Sequence, residues 1–163
     1  MKKILLLFLL TISFLFVACS SVKDDEPGMI GYIVKVDNGR ILVVDPEPKD
    51  FSSTGGISEF YNAIWFSNAP KEVRRGDKVK VWFDTVAESY PGQSEALAVE
   101  VIPSTKPEGA NLTESEALRK ALESGNINVV TVKSIAFDGS NNWNIHLYDI
   151  FEEKEFDIVV EDK

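Results

Sequence analysis

The sequence has few of the residues on which many enzyme and metal sites depend. It contains one cysteine and one histidine among 163 residues. That composition excludes an intramolecular disulfide, a cysteine-rich zinc site and a pair of metal-binding histidines. No hydrophobic run reaches the roughly 20 residues of a membrane-spanning helix, and no proline follows Pro107. We therefore expect a globular protein without a disulfide or a cofactor, whose composition changes near Pro107.

Basic residues are outnumbered by acidic ones. The 17 lysines and arginines face 26 aspartates and glutamates, which gives a formal net charge of -9. Nucleic-acid affinity comes largely from basic side chains that neutralise phosphates, so we expect no nucleic-acid partner. The simplest interpretation of the excess acid is a solvated surface. The alternative is an acidic patch for a cationic peptide or for divalent ions.

The amino terminus has the pattern of a secretory signal. Lys2 and Lys3 precede an uncharged, largely apolar run at residues 4–18, whose length suits the hydrophobic region of a signal peptide better than a membrane span. The run leads into the sequence Leu-Phe-Val-Ala-Cys at residues 15–19. This resembles a bacterial lipobox, with phenylalanine where leucine is usual. We predict that residues 1–18 are a lipoprotein signal peptide.

Cys19 is the predicted lipidation site. A diacylglyceryl thioether there explains why the only cysteine lies at this position, whereas the alternative is a free thiol in an ordinary signal peptide. Two acyl chains, with palmitate as an expected fatty acid, give stable anchoring at roughly 0.8 kcal/mol per buried methylene. The predicted location is the extracytoplasmic face of the cell membrane, in a bacterial cell envelope. Loss of the two signal-peptide lysines takes the net charge from -9 to -11.

The region after the cysteine divides into a tether and a β-rich domain. Residues 19–28 lack an apolar period and predict a short tether. Residues 29–103 contain short alternating segments, the first two joined by the hairpin signal Asp37-Asn38-Gly39. With a long loop at residues 45–61, they predict a small five-stranded OB-like β-barrel, and an SH3-like barrel is the rival. The predicted strands cover residues 30–36, 40–44, 62–67, 77–83 and 97–101.

A helix follows the turn-rich linker at residues 104–110. Thr113 and Glu116 have the spacing of a capping box, in which each side chain accepts from the other residue's backbone amide. The apolar stripe that follows predicts a helix at residues 113–124, with Gly125 as its C-cap.

Three further strand patterns complete the chain, at residues 128–137, 143–150 and 155–161. Residues 111–163 therefore form a predicted helix plus β-meander unit, and the protein as a whole is predicted to be mainly β. About 53 residues bury only a modest core, so we expect this unit to pack against the barrel.

Residues 31–102 contain a series of strand and turn motifs. They are Gly31-Tyr32-Ile33, the run from Asn38 to Val44, Ala63-Ile64-Trp65-Phe66-Ser67, the run from Gly76 to Phe83, and Ser89-Tyr90-Pro91. In order and spacing these motifs resemble the YobA-like family, small uncharacterised lipoproteins of Gram-positive spore-forming bacteria. The resemblance implies an OB-like barrel and a surface location, and it implies no activity. Beyond residue 111 the chain is only loosely similar, in topology, to PepSY-type modules that are linked to peptidase inhibition.

No catalytic or metal site is predicted. His146 is the only imidazole, no GxSxG motif is present, and alternation along its strand places His146 opposite the apolar residues, on a solvated face. Asp45, Glu47 and Asp50 supply oxygen atoms in the long loop, but their spacing is not that of an EF-hand. A solvated acidic loop is the preferred interpretation.

Aromatic and basic residues supply the ligand-binding candidates. Trp82 alternates with Val81 and shares a strand face with Lys78 and Lys80, so it is a candidate for stacking on a sugar or peptide at an OB-type surface. Tyr90 lies in the loop before the fifth predicted strand and would flank that surface. The alternative is that Trp82 is buried against the carboxyl-terminal unit.

The leading hypothesis is a lipid-anchored, extracytoplasmic, non-catalytic binding or interaction module. Its expected partners are the membrane, through the lipid on Cys19, and an envelope glycan or protein. One alternative is an accessory inhibitor or chaperone of secreted peptidases that acts through the carboxyl-terminal unit. The other is a carboxylate-dependent hydrolase, because the many acids allow pairs that the sequence does not single out.

Overall fold

The structure is a computed structural model that describes residues 26–125 and 127–163. The predicted signal peptide, Cys19 and most of the predicted tether lie outside the described residues. Within the described part, no helix is long and apolar enough to cross a bilayer. The elements are β1 (Met29–Asp37), β2 (Arg40–Val44), β3 (Ala63–Ser67), β4 (Lys78–Trp82), β5 (Gly92–Glu95), β6 (Ala98–Val101), α1 (Glu114–Glu123), β7 (Val130–Phe137), β8 (Asn142–Asp149) and β9 (Lys154–Glu161).

The first sheet contains β1 to β6 in the order β5-β3-β2-β1-β4-β6. The predicted β1–β2 hairpin is confirmed: Asp37 pairs with Arg40, and Asn38 and Gly39 have φ values of 48° and 77°. Positive φ at both central residues is what a two-residue turn needs to match the twist of the strands.

The prediction of five strands was wrong for this sheet, which has six. After Pro91 the chain passes from one edge of the sheet to the other. At the first edge β5 pairs with β3 in the parallel direction, and at the opposite edge β6 pairs with β4 in the antiparallel direction. The crossing occurs at two residues: Ala96 N donates to Ser67 O at 3.0 Å, and Leu97 N donates to Trp82 O at 2.8 Å. Among the described residues the strand order is open, and no closed barrel is found.

The helix begins as the sequence predicts and ends differently. Thr113 forms the capping box with Glu116, which satisfies amides that the first turn leaves without partners. The prediction of Gly125 as C-cap was wrong. Ser124 is the C-cap in a right-handed conformation, and both its amide and its hydroxyl donate to Ala121 O. Both bonds therefore go to the same carbonyl, and the helix ends without a C-cap residue in the left-handed conformation.

The three remaining strands form a separate antiparallel sheet in the order β7-β8-β9, as the predicted meander requires. Asp138 shapes the first turn by accepting three backbone amides. The backbone hydrogen bonds from Asn142 and Ser140 hold the pKa of Asp138 well below its ordinary value.

Strand β2 is buried on both faces and joins two apolar clusters. Ile41 and Val43 belong to the cluster on one face of the first sheet. Leu42 and Val44 belong to a second cluster, which also contains the apolar stripe of α1 and the inner residues of β7 and β8. The predicted packing of the carboxyl-terminal unit against the β-rich part is therefore confirmed. Each such fully buried side chain contributes about 1.5–3 kcal/mol of hydrophobic stabilisation.

A close approach at Gly76 holds α1 against the first sheet. Gly76 has a φ of 89°, and a Cβ there would lie 2.5 Å from Ser115 O and 2.9 Å from Arg119 N. On either side of the glycine, Arg119 Nε donates to Arg75 O at 2.9 Å and the Arg119 guanidinium lies 3.4 Å from Asp77. Only glycine both adopts this backbone conformation freely and leaves room for the helix.

We predict that Gly76→Ala destabilises the protein more than Gly39→Ala. Both positions have positive φ, but a Cβ at Gly39 would have nothing within 4 Å. The control variant should therefore show only the backbone cost of about 1–2 kcal/mol, and Gly76→Ala at least about twice that cost because helix packing is also disturbed. Urea unfolding measures both; equal losses would show that the close approach contributes nothing.

Candidate functional site

Four aromatic side chains form a continuous, partly exposed row that we call the aromatic surface. It consists of Phe51, Phe60, Tyr90 and Phe151, whose successive ring centroids are 5.6, 5.4 and 5.8 Å apart. Phe51, Tyr90 and Phe151 are 43%, 41% and 54% exposed. Aromatic rings that stay exposed while contacting each other are typical of binding surfaces.

The long loop between β2 and β3 positions the first two rings. Phe51 precedes a short 3-10 turn, Ser52–Thr54, and its amide donates to Ile57 O at 2.9 Å. Phe60 is held by a bridge to Lys49, in which each residue's amide donates to the other's carbonyl. The loop is therefore folded back on itself, and its two phenylalanines are brought into contact.

Tyr90 and Phe151 come from distant parts of the chain. The Tyr90 hydroxyl donates to Tyr61 O at 2.8 Å, and burial of the hydroxyl raises the pKa of Tyr90 to about 12, so it remains a neutral donor. Phe151 lies in the β8–β9 turn, where its amide donates to Asp149 Oδ1 at 2.9 Å. The aromatic surface thus combines residues of the β-rich part with one residue of the meander.

An acidic cleft lies beside the aromatic surface. It has a volume of about 290 Å³ and is lined by Ile57, Ser58, Glu59, Tyr148 and Glu153. Ile57 bonds to Phe51 and Glu153 follows Phe151 by two residues, so the cleft is connected to both ends of the row.

A partly exposed hydrogen-bond network at the cleft joins the two parts of the protein. Lys133 Nζ, from β7, donates to Glu59 Oε1 and to the Tyr61 hydroxyl, both at 2.7 Å. The Tyr61 hydroxyl also donates to Glu59. The hydrogen bonds from Lys133 and then Tyr61 lower the pKa of Glu59, and the same contacts raise the pKa of Lys133. The lowered pKa favours the negative carboxylate of Glu59, and the raised pKa favours the positive ammonium of Lys133.

Lys133 also shows how this region accommodates a cation. Its ammonium nitrogen lies 5.3 Å from the ring centroid of Tyr61 and 5.7 Å from that of Tyr148. Cation–π contacts within about 6 Å are favourable. The Lys133 ammonium therefore contacts the Glu59 carboxylate and two aromatic rings at the same time.

The sequence-predicted binding residues do not all meet at one place. Tyr90 belongs to the aromatic surface, whereas Lys78 lies 5.2 Å from the Tyr32 ring centroid and lines a different cleft. Lys80 is paired with Glu100 at 3.4 Å. The ligand-binding role of these side chains stays a prediction.

Trp82 is buried, not exposed. It is 6% exposed at the end of β4, opposite Ala98 of β6. The alternative, burial against the carboxyl-terminal unit, stays a prediction. Alternation predicts the face on which a side chain lies, and the half-buried Lys78 and Lys80 agree with it. It does not predict whether another segment covers that face.

The residues considered for chemistry have structural partners. His146 lies on the outer face of the meander, as predicted, with Nδ1 2.8 Å from Asp157 and Nε2 3.4 Å from Glu155. Asp45 and Asp50 accept backbone amides two residues ahead in the long loop. In the part of the chain that the structure describes, no group of three or more potential metal ligands is found.

The comparisons with known proteins cover the β-rich part. Residues 30–103 match the family described as "Protein of unknown function (DUF3221)". The uncharacterised protein YobA of Bacillus subtilis (strain 168) is 32% identical over 85 residues, which is 45% of this chain and 71% of that protein. The chain belongs to this family. The resemblance predicted from the sequence motifs is thereby confirmed at the level of the family.

A solved structure is also similar to part of this chain. The crystal structure of a YobA protein from Bacillus subtilis has 26% sequence identity to this chain and a TM-score of 0.33, and the match covers 45% of this chain and 91% of that one. The family is described as one of unknown function, and neither its description nor that of the relative names a catalytic activity. Phe151, which completes the aromatic surface, lies outside residues 30–103, which match the family.

We predict that the Glu59 network stabilises the fold in a pH-dependent way. Because the native pKa of Glu59 is lowered, its contribution is present above the ordinary carboxyl pKa and is lost as pH falls through the native value. Glu59→Gln should cost about 1 kcal/mol or less at pH 7, since the ion pair is partly exposed.

Urea unfolding at pH 7 and at pH 3 measures this difference. The wild type should be the more stable protein at pH 7, and the gap should shrink at pH 3. Glu47→Gln, an exposed acid in the same loop, is the matched control and should show a smaller gap at pH 7. A Glu59→Gln gap that is the same at both pH values contradicts the prediction.

Proposed function

We propose that the protein is a lipid-anchored, extracytoplasmic, non-catalytic binding module of the bacterial cell envelope. The observation that carries the proposal is the aromatic surface, because rings that could be buried are instead exposed in one contiguous row. Exposed apolar patches that are held rigidly favour binding partners. The Tyr90 hydroxyl and the Glu59 carboxylate beside it are engaged in structural hydrogen bonds, which favours binding over catalysis at these two groups.

An OB-like barrel is the scaffold that we propose for the β-rich part. Two features support it: the first sheet contains the β1–β2–β3 meander, and its two edge strands, β5 and β6, are separated by only Ala96 and Leu97. One continuous chain segment, β5 to β6, therefore forms both edge strands of the sheet. OB-type barrels commonly present loops and strand faces to extended ligands.

The lipid anchor rests on the sequence pattern at Cys19. The tether of residues 19–28 would span at most about 35 Å when fully extended. The folded part would thus remain near the bilayer while its acidic surface is repelled by anionic headgroups. The aromatic surface would then face partners in the envelope.

We predict that Cys19→Ala abolishes membrane association. In a Gram-positive host, the wild type should appear in the membrane fraction with a diacylglyceryl mass increment, because two acyl chains suffice for stable anchoring. The variant should lack the increment and be released. Intact-mass analysis and fractionation measure both, and a wild type that is secreted without lipid contradicts the anchor.

We predict that photo-crosslinking in living cells distinguishes the aromatic surface from other exposed apolar positions. A benzophenone amino acid at Phe151 should give discrete adducts. The same amino acid at Val159, which is 63% exposed on β9, is the matched control and should give none. Equal adduct patterns at the two positions, or none at either, would overturn the binding role of this surface.

A further inference from the structure

We propose that the aromatic surface binds a flexible cationic peptide segment that carries an aromatic or aliphatic side chain next to lysine or arginine. The inference rests on the proposed function and deepens it by naming the class of partner. It follows from three properties of the described residues: the exposed rings, the charge beside them and the way in which the region already holds an ammonium group.

The rings provide the apolar part of the recognition. Phe51, Tyr90 and Phe151 are exposed at angles of 45–73° to their neighbours along the row, so ring faces and edges alternate along the surface. An extended segment could place one apolar side chain between such rings, where burial of aromatic area is most favourable. Ile57, 58% exposed, extends the apolar area toward the acidic cleft.

The charge beside the rings selects the sign of the partner. Glu59 and Glu153 line the acidic cleft, and Glu152 precedes Glu153 in the same turn. Lys133 is paired with Glu59. Within the described residues, no lysine or arginine nitrogen is found within 4.0 Å of the Glu152 or Glu153 carboxylates. A positive partner is therefore attracted and an acidic one repelled.

Nearby cations do not reverse this charge. Lys49 lies opposite Phe60 in the loop bridge. Lys154 lines a separate cleft with Glu152 and Asp149, where the two acids outnumber it. The acidic cleft itself is lined by two carboxylates and by no basic residue. The Lys133 ammonium beside Tyr61 and Tyr148 illustrates the same carboxylate-and-ring chemistry for an incoming lysine or arginine.

The same charges argue against a membrane surface as the partner. Anionic headgroups repel carboxylates, and the aromatic residues beside the acidic cleft would have to bring Glu152 and Glu153 to the bilayer. A neutral glycan would use the rings but not the negative charge of the Glu59 and Glu153 carboxylates in the cleft. A cationic peptide uses both the rings and the acids.

The test measures binding of a synthetic peptide to the mature chain, residues 19–163 with Cys19→Ala, in detergent-free buffer. The probe is a twelve-residue peptide that alternates lysine and phenylalanine pairs with glycine, and its matched partner has glutamate in place of every lysine. Vesicles of phosphatidylcholine, with and without phosphatidylglycerol, test the membrane. The expected result is saturable binding of the lysine peptide that weakens with salt, and no binding of the glutamate peptide or of the vesicles.

Two variants locate the site. The double variant Glu152→Gln with Glu153→Gln should weaken lysine-peptide binding at least about fivefold, and Phe151→Ala should do the same. The charge-matched control is Glu72→Gln with Glu123→Gln, two exposed acids on other elements, and Val159→Ala is the apolar control. Both controls should stay within about twofold, and thermal unfolding checks that every variant is folded.

The outcomes separate this inference from the proposed function. Equal effects of the two double variants, binding of the glutamate peptide or preferential binding of vesicles would overturn the cationic-peptide assignment. If the lysine peptide does not bind but crosslinks still form specifically at Phe151, the assignment fails while the binding module stands. If the lysine peptide does not bind and no specific crosslinks form at Phe151, both the cationic-peptide assignment and the binding module are overturned.

Discussion

The double burial of strand β2 is the constraint on which the rest of the structure depends. Ile41 and Val43 fill one face of the first sheet, and Leu42 and Val44 form part of the cluster that contains helix α1 and the meander. A strand that is apolar on both faces cannot leave either face in water without a large cost in free energy. The carboxyl-terminal unit therefore covers a surface that the β-rich part cannot expose, and Gly76 lets the helix come close enough to do so.

The candidate binding surface is a consequence of this packing. Because the meander is docked, its β8–β9 turn brings Phe151 to within 5.8 Å of the Tyr90 ring, and Lys133 reaches Glu59 across the same boundary. Neither part of the chain contains the complete row of rings. The family match covers residues 30–103, so the part that supplies Phe151 lies outside the residues of that match.

Local chemistry explains what the sequence predicted well. The Asn38-Gly39 turn, the Thr113 capping box and the alternation of β7 to β9 are each determined by residues close together in the chain, and the structure contains all three. The crossing of the chain between sheet edges at Ala96 and Leu97 depends on partners far away in sequence, and so does the burial of Trp82. The aromatic surface was missed for that reason: only Tyr90 was a candidate, while Phe51, Phe60 and Phe151 give no periodic signal in their loops and turn.

The most direct test asks whether the two parts unfold as one unit. Native-state hydrogen exchange reports the opening free energy of amides in β2 and in β8 separately. If the shared cluster controls the fold, amides of Leu42 and Ile145, both fully buried, should exchange through one common opening with the same free energy and the same dependence on denaturant. If the β8 amides instead open at much lower free energy than those of β2, the meander is an independent unit, and a fixed aromatic surface built from both parts is contradicted.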